Sequence, residues 1–251
     1  MNRNKISIIT ITFEPNINDL NNNLICVLNQ TYQNIEHIIQ DGSISFKVKK
    51  KVLNFKSRNK NNKIKYFHEK DLGIYDALNK AILKCTGDII GILHSDDIFY
   101  DNEILAEINN NFLGNEDILY GDLIYINKNY KIIRKWKSTP FHISKLKFGW
   151  MPPHPTMFVN SKIFKNFGLY RADYKVAGDY EFILRILMNK CVVTKYIPKI
   201  ITKMKLGGNS NKSLKNILLK SYEDFKALKQ NKIGGFFTLL CKNIRKLNQF
   251  F

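Results

Sequence analysis

Two adjacent aspartates, Asp96 and Asp97, lie two residues beyond an unbroken apolar run over residues 89–93, after His94 and Ser95. Such a run is typical of a central strand that is covered on both faces, and ligand sites in open α/β sheets lie at the carboxyl ends of such strands. Two neighbouring carboxylates repel each other unless a cation joins them, and a hard divalent cation would also hold the oxygens of a diphosphate. The alternative is that Asp97 caps a short helix while Asp96 lies in solvent, and the spacing alone leaves both open.

Asp41 also stands at the end of a predicted strand, followed by Gly42 and Ser43. Its carboxylate is suited to accept a hydrogen bond from the N–H of a nucleotide base, such as the imide of uracil. Taken alone, however, the residues favour an ordinary Asp-Gly turn.

Two predicted helix starts carry further polar groups. Gly73, Asp76, Asn79 and Lys80 lie around the first of them, where a helix N-terminus suits a phosphate or sugar hydroxyls, although polar residues there are equally typical of a solvent-facing side. Asp179 heads the second, where a carboxylate is either a cap or a general base.

His154 stands among three prolines in a rigid loop over residues 149–155. Proline fixes the backbone of such a loop. Acceptor binding, support of a metal ligand and a purely structural role all remain open for this imidazole.

The elements that position these residues alternate between β-rich and helical patterns, which indicates βαβ units and a largely parallel α/β sheet. We predict strands at residues 6–13, 35–39, 64–67, 89–93 and 118–125, with 131–136 pairing with the last as a hairpin. Helices are predicted from about residue 18, from 73, over 101–112, over 179–188 and from 213 onward. The organisation is therefore a domain at 1–210 and a basic amphipathic helical extension at 211–251.

The charge of the chain is strongly positive, with 40 Lys and Arg against 21 Asp and Glu, a formal net charge of +19. This favours a polyanionic partner, either nucleic acid, anionic lipid or a diphosphate substrate, although a compositional bias toward lysine explains it equally well. The four cysteines lack the spacing of a zinc or redox motif and are expected to be reduced. No stretch approaches the roughly 20 apolar residues of a membrane span, so any membrane contact is expected to be peripheral.

The C-terminal residues 236–251 combine Phe236, Phe237 and Leu240 with lysines and arginine. This basic amphipathic pattern predicts contact with an anionic membrane surface. Packing of an apolar helix face on the catalytic domain is the alternative, and it is nearly as well supported for residues 213–229.

Seven short motifs occur in order along residues 5–210: 7–12 (Ser-Ile-Ile-Thr-Ile-Thr), 40–43 (Gln-Asp-Gly-Ser), 69–80, 91–97 (ending Ser-Asp-Asp), 120–122 (Tyr-Gly-Asp), 153–158 and 178–181 (Gly-Asp-Tyr-Glu). Together they resemble the family-2 glycosyltransferases of the GT-A fold, particularly the non-processive bacterial enzymes that build surface polysaccharides. The resemblance implies a nucleotide-diphospho-sugar transferase fold, a Rossmann-like, mostly parallel sheet flanked by helices.

The resemblance also implies the roles of individual residues. Asp97 is expected to be the direct ligand of Mn²⁺ or Mg²⁺ with Asp96 beside it, and Asp179 to be the catalytic base. The expected donor-binding residues are Thr12, Glu14, Asp41, Gly73, Asp76, Asn79, Lys80, Ser95 and Asp96. The expected acceptor-side residues are Trp150, His154 and Tyr180.

The implied reaction is inverting transfer of one sugar from a nucleotide-diphosphate sugar, a UDP-hexose or UDP-HexNAc, to a polyprenyl-diphosphate-linked oligosaccharide. The implied location is cytoplasmic, on the inner face of the plasma membrane, without a nucleic-acid partner. Residues 44–46 (Ile-Ser-Phe) stand where the family commonly has a second aspartate, so base contacts beyond Asp41 do not follow from it. The Gln-x-x-Arg-Trp motif of processive synthases is missing, which favours transfer of a single sugar.

Two other functions fit the sequence less well. A nucleotidyltransferase of related architecture usually has a Gly-rich basic loop after its first strand, where residues 13–16 here read Phe-Glu-Pro-Asn. A basic nucleic-acid-binding protein would leave the three aspartates Asp96, Asp97 and Asp179 without a role, and carboxylates in a cleft repel phosphate unless a metal intervenes.

Overall fold

A computed structural model describes residues 4–60, 63–206 and 214–247. The strands are β1 (Ile6–Thr12), β2 (Ile35–Asp41), β3 (Ile64–His68), β4 (Ile89–Ile92), β5 (Ile98–Phe99), β6 (Ile118–Ile126), β7 (Ile132–Trp136), β8 (Phe158–Asn160) and β9 (Thr194–Lys205). The α-helices are α1 (Ile17–Leu28), α2 (Lys47–Arg58), α3 (Ile74–Ile82), α4 (Ile104–Asn111), α5 (Ser161–Phe167), α6 (Gly178–Leu187), α7 (Leu214–Gln230) and α8 (Phe236–Leu247). Within these residues the strands form one sheet in the order β3-β2-β1-β4-β8-β6-β9-β5, and β7 pairs with β6.

The first half of the sheet is parallel, as the alternating pattern predicts. β1 pairs with β2 on one side and β4 on the other, and β2 pairs with β3. The register places Thr12 opposite Asp41, so the carboxyl ends of β1 and β2 coincide. Because the chain leaves β1 toward β2 and later returns to its other side at β4, a crevice opens there at the point where ligands bind in such sheets.

The second half of the sheet is mixed. β8 runs antiparallel to both β4 and β6, β9 is parallel to β6, and β5 is antiparallel to β9. The predicted hairpin of residues 118–125 with 131–136 is confirmed as the antiparallel pair β6 and β7.

Strand β9 is not among the predicted strands. It contains Pro198, which cannot donate to a strand ladder and is found in sheets at edges or bulges. The register of β6 and β9 shifts between Tyr120 and Asp122 and again between Asp122 and Leu123. A Cβ at Gly121 would lie 2.5 Å from Ile201 Cγ1 and 2.6 Å from the carbonyl oxygen of Lys199, so this irregular pairing depends on glycine.

Both faces of the parallel half are buried, as the apolar run of β4 predicts. On one face, Ile9 packs in a cluster with residues of α3 and α6. On the other face, Ile6 and Ile8 pack with residues of α4. The parallel half of the sheet is therefore held between two packed layers.

The C-terminal helices pack on the domain that precedes them. α8 lies against a 3₁₀ helix at Ile143–Phe148, and a Cβ at Gly149 would lie 2.5 Å from the backbone nitrogen of Lys242. One face of the helix that was predicted to contact a membrane is thus buried against protein. The domain boundary predicted between 210 and 211 lies outside the described residues. None of the described helices is long and apolar enough to cross a bilayer.

Candidate active site

The turn after β4 holds the two adjacent aspartates. Asp97 is 1% exposed, and its Oδ1 accepts a hydrogen bond from the backbone nitrogen of Lys205 at 3.2 Å. Its Oδ2 is buried without a hydrogen-bond partner. Burial, and after it the charge of Asp96, raises the pKa of the Asp97 carboxyl well above its ordinary value. The cap alternative is wrong, because Asp97 precedes a strand and the next helix, α4, begins only at Ile104.

The two carboxyl groups fit a divalent cation. An orphaned buried oxygen beside a second carboxylate costs stability until a positive charge joins them. Among the described residues no group of three or more His, Cys, Asp or Glu side chains is arranged to hold a metal. Mg²⁺ and similar ions commonly bind through one or two carboxylates and complete their shell with water and substrate phosphates. Asp97 and Asp96 are therefore the side chains that would hold such an ion.

A buried hydrogen-bond network holds the turn that contains Asp96 and Asp97. Asn23 Nδ2 donates to the carbonyl oxygens of His94 at 2.9 Å and of Asp97 at 3.1 Å. The hydroxyl of Thr10 donates to the carbonyl oxygen of Leu93 at 2.8 Å, so it accepts from His37 Nε2, also at 2.8 Å. This leaves Nδ1 of His37 as the unprotonated nitrogen, and it is buried without a partner.

We expect the free energy of unfolding to fall as the pH drops from about 6.5 toward 3, because His37 is buried in its neutral form. Burial lowers its pKa from 6.5 to about 3. A lowered histidine pKa means that the unfolded chain binds the proton first, so the contribution is complete above 6.5 and is lost below it. The loss amounts to at most about 1.4 kcal/mol per pH unit. Urea unfolding of the wild type and of His37→Gln between pH 7 and 5 measures it, and equal pH slopes in the two proteins would contradict the assignment.

The ends of β1 and β2 place Thr12 and Asp41 together. Asp41 is fully buried, and its Oδ1 accepts from the Thr12 hydroxyl and from the backbone nitrogen of Ser43, both at 2.9 Å. Its Oδ2 accepts from the hydroxyl of Tyr66 at 2.6 Å. Glu14 is exposed beside them and accepts from the backbone nitrogen and hydroxyl of Ser45, both at 2.7 Å. Asp41 is therefore held rigidly, and a base would have to use one of its remaining lone pairs.

The start of α3 carries four of the predicted donor-binding residues. Gly73 has a φ of 133°, a conformation that glycine adopts at no steric cost. Asp76 Oδ2 accepts from Lys80 Nζ and from the backbone nitrogen of Leu72, both at 2.9 Å. Asn79 is engaged elsewhere, because its amide bonds both the carbonyl oxygen and the backbone nitrogen of Tyr170, at 2.8 and 2.9 Å.

Asp179 lies in the first turn of α6 and is partly exposed. The hydroxyl of Tyr75 donates to the carbonyl oxygen of Val176 at 2.9 Å and lies 3.3 Å from Asp179 Oδ1. Burial raises the pKa of Asp179, but His154, Lys220 and Lys242 together outweigh it and hold the pKa below its ordinary value. Asp179 is therefore ionised at neutral pH, as a general base must be.

Two histidines, His94 and His154, are influenced by the charges of the nearby aspartates. Burial lowers the pKa of His94, and the charges of Asp96 and Asp179 both act against it. Burial likewise lowers the pKa of His154 to about 4, although the negative charge of Asp179 acts to raise it. Asp96 and Asp179 are therefore both close enough to His94 to act on its pKa, and both imidazoles are neutral at neutral pH.

The three predicted acceptor-side residues offer little side-chain surface. Trp150, His154 and Tyr180 are 6%, 7% and 1% exposed. Nε2 of His154 lies 2.8 Å from the hydroxyl of Tyr170. The three side chains are packed in the interior of the domain, and their contact with an acceptor stays a prediction.

Several residues at the site are not among the predicted ones. His94 has the clearest sequence signal, because it directly precedes Ser-Asp-Asp, and Tyr75 lies inside the quoted 69–80 motif. Asn23 and Tyr66 carry no such signal, because their partners lie at least 25 residues away along the chain. Ser95 and Asp96 are partly exposed in the same turn as Asp97.

Comparison with known proteins gives a consistent family. The profile of glycosyl transferase family 2 matches residues 7–169. A PGL/p-HBAD biosynthesis glycosyltransferase of Mycobacterium bovis is 27% identical over 198 residues, which cover 77% of this chain and 75% of the relative. An uncharacterised glycosyltransferase of Mycobacterium tuberculosis is 30% identical over 184 residues, covering 72% of this chain and 68% of the relative.

Solved structures share the fold at low identity. A mannosyltransferase from Pyrobaculum calidifontis, in complex with GDP-Man and Mn²⁺, aligns with a TM-score of 0.70 at 14% identity over 96% of this chain and 69% of its own. S. aureus TarS in complex with UDP-GlcNAc aligns with a TM-score of 0.65 at 16% identity over 90% of this chain. The chain spans 65% of that TarS structure and 39% of a longer one.

Proposed function

Because the chain belongs to glycosyl transferase family 2, we propose that it is an inverting enzyme that moves one sugar from a nucleotide-diphosphate sugar to an acceptor hydroxyl. The observation that carries the proposal is the buried, unpartnered Oδ2 of Asp97 beside Asp96, at the end of a central parallel strand. Asp179, whose carboxylate is ionised at neutral pH, and Asp96 both act on the pKa of His94, so we place Asp179 on the same side of the site. The pair Asp96 and Asp97 thus suits a diphosphate and its cation, and Asp179 suits a reacting hydroxyl.

The donor is proposed to be a UDP-hexose or UDP-HexNAc. Similar folds carry such ligands, namely GDP-Man with Mn²⁺ in the mannosyltransferase and UDP-GlcNAc in TarS. We place the base and ribose near Thr12 and Asp41, and the diphosphate near Asp97. A bound Mn²⁺ or Mg²⁺ would offset the negative charge that develops on the leaving nucleotide diphosphate.

Asp179 performs the proton transfer in this proposal. Its carboxylate accepts the proton of the acceptor hydroxyl while that oxygen attacks the anomeric carbon from the face opposite the diphosphate. The bond from the anomeric carbon to the diphosphate oxygen breaks, its electron pair stays on that oxygen, and the configuration inverts. His94 and His154 are neutral at neutral pH, since burial lowers both pKa values, so neither adds a second charge beside the base.

A comparison of possible donors, each assayed separately, tests this function. Wild-type protein is incubated with UDP-, GDP- and dTDP-sugars, each with and without Mn²⁺, together with a polyprenyl-diphosphate-linked oligosaccharide. We expect nucleotide diphosphate release and a one-sugar increase in acceptor mass with one nucleotide class. Pyrophosphate release from a nucleoside triphosphate and a sugar phosphate, without sugar transfer, would instead identify a nucleotidyltransferase.

The acceptor is proposed to be a lipid-linked oligosaccharide of surface polysaccharide synthesis, met at the inner face of the plasma membrane. The outer face of α8 leaves Phe236 75%, Phe237 63%, Leu240 47% and Ile244 50% exposed. The ring of Phe237 lies 6.3 Å from that of Phe148, itself 50% exposed, so the apolar surface continues onto the domain. With a net charge of +19 on the chain, this surface suits a shallow contact with an anionic leaflet.

We expect the protein to bind vesicles that contain anionic lipid and to bind them less tightly at high salt. Phe236→Ser with Phe237→Ser should weaken this binding by about tenfold or more, because each ring loses part of the free energy of its burial in lipid. Leu113→Ser is the control, since Leu113 is equally exposed, at 75%, but lies in the loop after α4. Equal binding by the two variants in vesicle sedimentation would exclude α8 as the contact.

A further inference from the structure

The carboxylate of Glu223, on α7, binds the backbone immediately before α6. Its Oε1 accepts from the backbone nitrogen of Lys175, and its Oε2 accepts from those of Val176 and Ala177, all at 2.8 Å. The side chain is buried, with 4% exposed. One carboxylate thus satisfies three consecutive backbone N–H groups that lead into α6, the last of them on the buried Ala177.

The bound segment leads directly to Asp179. Ala177 is the N-cap of α6, and Asp179 follows two residues later. From the other side, the hydroxyl of Tyr75 donates to the carbonyl oxygen of Val176. The segment 175–177 is therefore clamped between α3 and α7, and any shift of this segment moves the carboxylate of Asp179 with it.

A second contact joins the C-terminal helices to the same turn. Lys242 Nζ donates to Asp224 Oδ1 at 2.5 Å and lies 3.3 Å from the ring centroid of Tyr180. Lys242 and Asp224 are 5% and 1% exposed. Since Tyr180 follows Asp179 in the chain, the buried ion pair between α7 and α8 packs against the residue next to the base.

We propose that Glu223 is a positioning residue for Asp179, so that helix α7 helps to hold the geometry of the catalytic centre. This inference rests on the proposed function, since it names the residue that holds the base of that reaction in position. Glu223 itself touches no reacting atom of the proposed sugar transfer. It acts by fixing the backbone of residues 175–177.

The test compares Glu223→Gln with the wild type by two readouts. Hydrogen exchange of the peptide covering residues 173–180 should show protected amides in the wild type and faster exchange in the variant. At a temperature below both melting points, kcat for sugar transfer should fall by about 10- to 100-fold, the scale of a misplacement near 1 Å. The KM for the donor and metal-dependent nucleotide binding should stay unchanged, because the donor site lies at the ends of β1, β2 and β4.

Lys226→Ala is the matched control. It removes the ion pair from α7 to Asp173, at 2.6 Å, which joins the same helix to the same loop at an exposed position. We expect it to leave both readouts unchanged. Glu223→Asp, which keeps the charge on a shorter side chain, should give intermediate exchange and activity, and it replaces the glutamine variant if that one does not fold.

Unchanged exchange in Glu223→Gln, or faster exchange with unchanged kcat, would overturn the proposal. A wild type that transfers no sugar from any donor is a different failure, since it contradicts the proposed function before any variant is compared. In that case the exchange readout still decides whether Glu223 holds residues 175–177.

Discussion

Asp179→Asn should lower kcat for sugar transfer by about 10²- to 10⁴-fold, the usual contribution of a positioned general base. The amide has nearly the shape of the carboxylate but cannot take the proton of the acceptor hydroxyl. Binding of the nucleotide and metal should be unchanged, because the aspartate turn and the ends of β1 and β2 are separate elements. Initial rates at saturating donor, with nucleotide affinity measured in parallel, test both expectations.

Asp173→Asn provides the control for this variant. Asp173 precedes α6 in the same loop, and its charge is paired with Lys226 at the surface. Its replacement should change kcat by less than about twofold, because exposed ion pairs contribute little. If Asp179→Asn retained more than about a tenth of the wild-type kcat, Asp179 would not be the general base.

Asp97→Asn should abolish metal-dependent transfer and also change the response of stability to pH. Burial and Asp96 raise the pKa of Asp97 above its ordinary value of 3.8. A raised carboxyl pKa means that the folded protein holds the proton more tightly, so this contribution to stability is present below 3.8 and is lost as the pH rises through the folded pKa. Metal-free wild type should therefore lose stability with rising pH relative to the variant.

Unfolding of the two proteins without metal, followed from pH 4 upward, measures that difference. Mn²⁺ should restore the wild type, because it takes the place of the proton, and should leave the variant unaffected. Parallel pH curves for the two proteins would show that burial does not raise the pKa of Asp97. Full activity in the variant would show that Asp97 is not needed to bind the cation.

Local patterns along the chain were sufficient to predict the parallel half of the fold. The apolar run of β4 and the polar residues after it placed Asp96 and Asp97 at a strand end, whereas Thr12 was named only through the family resemblance, and the register of β1 and β2 places it opposite Asp41. These features depend on short-range periodicity and on the rule that parallel strands end together.

Long-range pairing was not predictable in the same way. The amide of Asn79 is taken by the backbone of Tyr170, 91 residues away, and Glu223 reaches residues 175–177 across 46 to 48 residues. A polar residue on a helix face looks the same in sequence whether it faces solvent or binds a distant loop. For the same reason the amphipathic pattern of α8 shows two distinct surfaces only in the structure, one buried on the domain and one exposed.

The most direct test of the central claim is the melting temperature of the wild-type protein with UDP, GDP, dTDP and CMP, each with and without Mn²⁺. A nucleotide at about 100 times its Kd stabilises the folded state by about 2.7 kcal/mol. We expect one nucleoside diphosphate to raise the melting temperature, and to do so only with the metal. Stabilisation by none of them at millimolar concentration, with either Mn²⁺ or Mg²⁺, would contradict a nucleotide-sugar site at the ends of β1, β2 and β4.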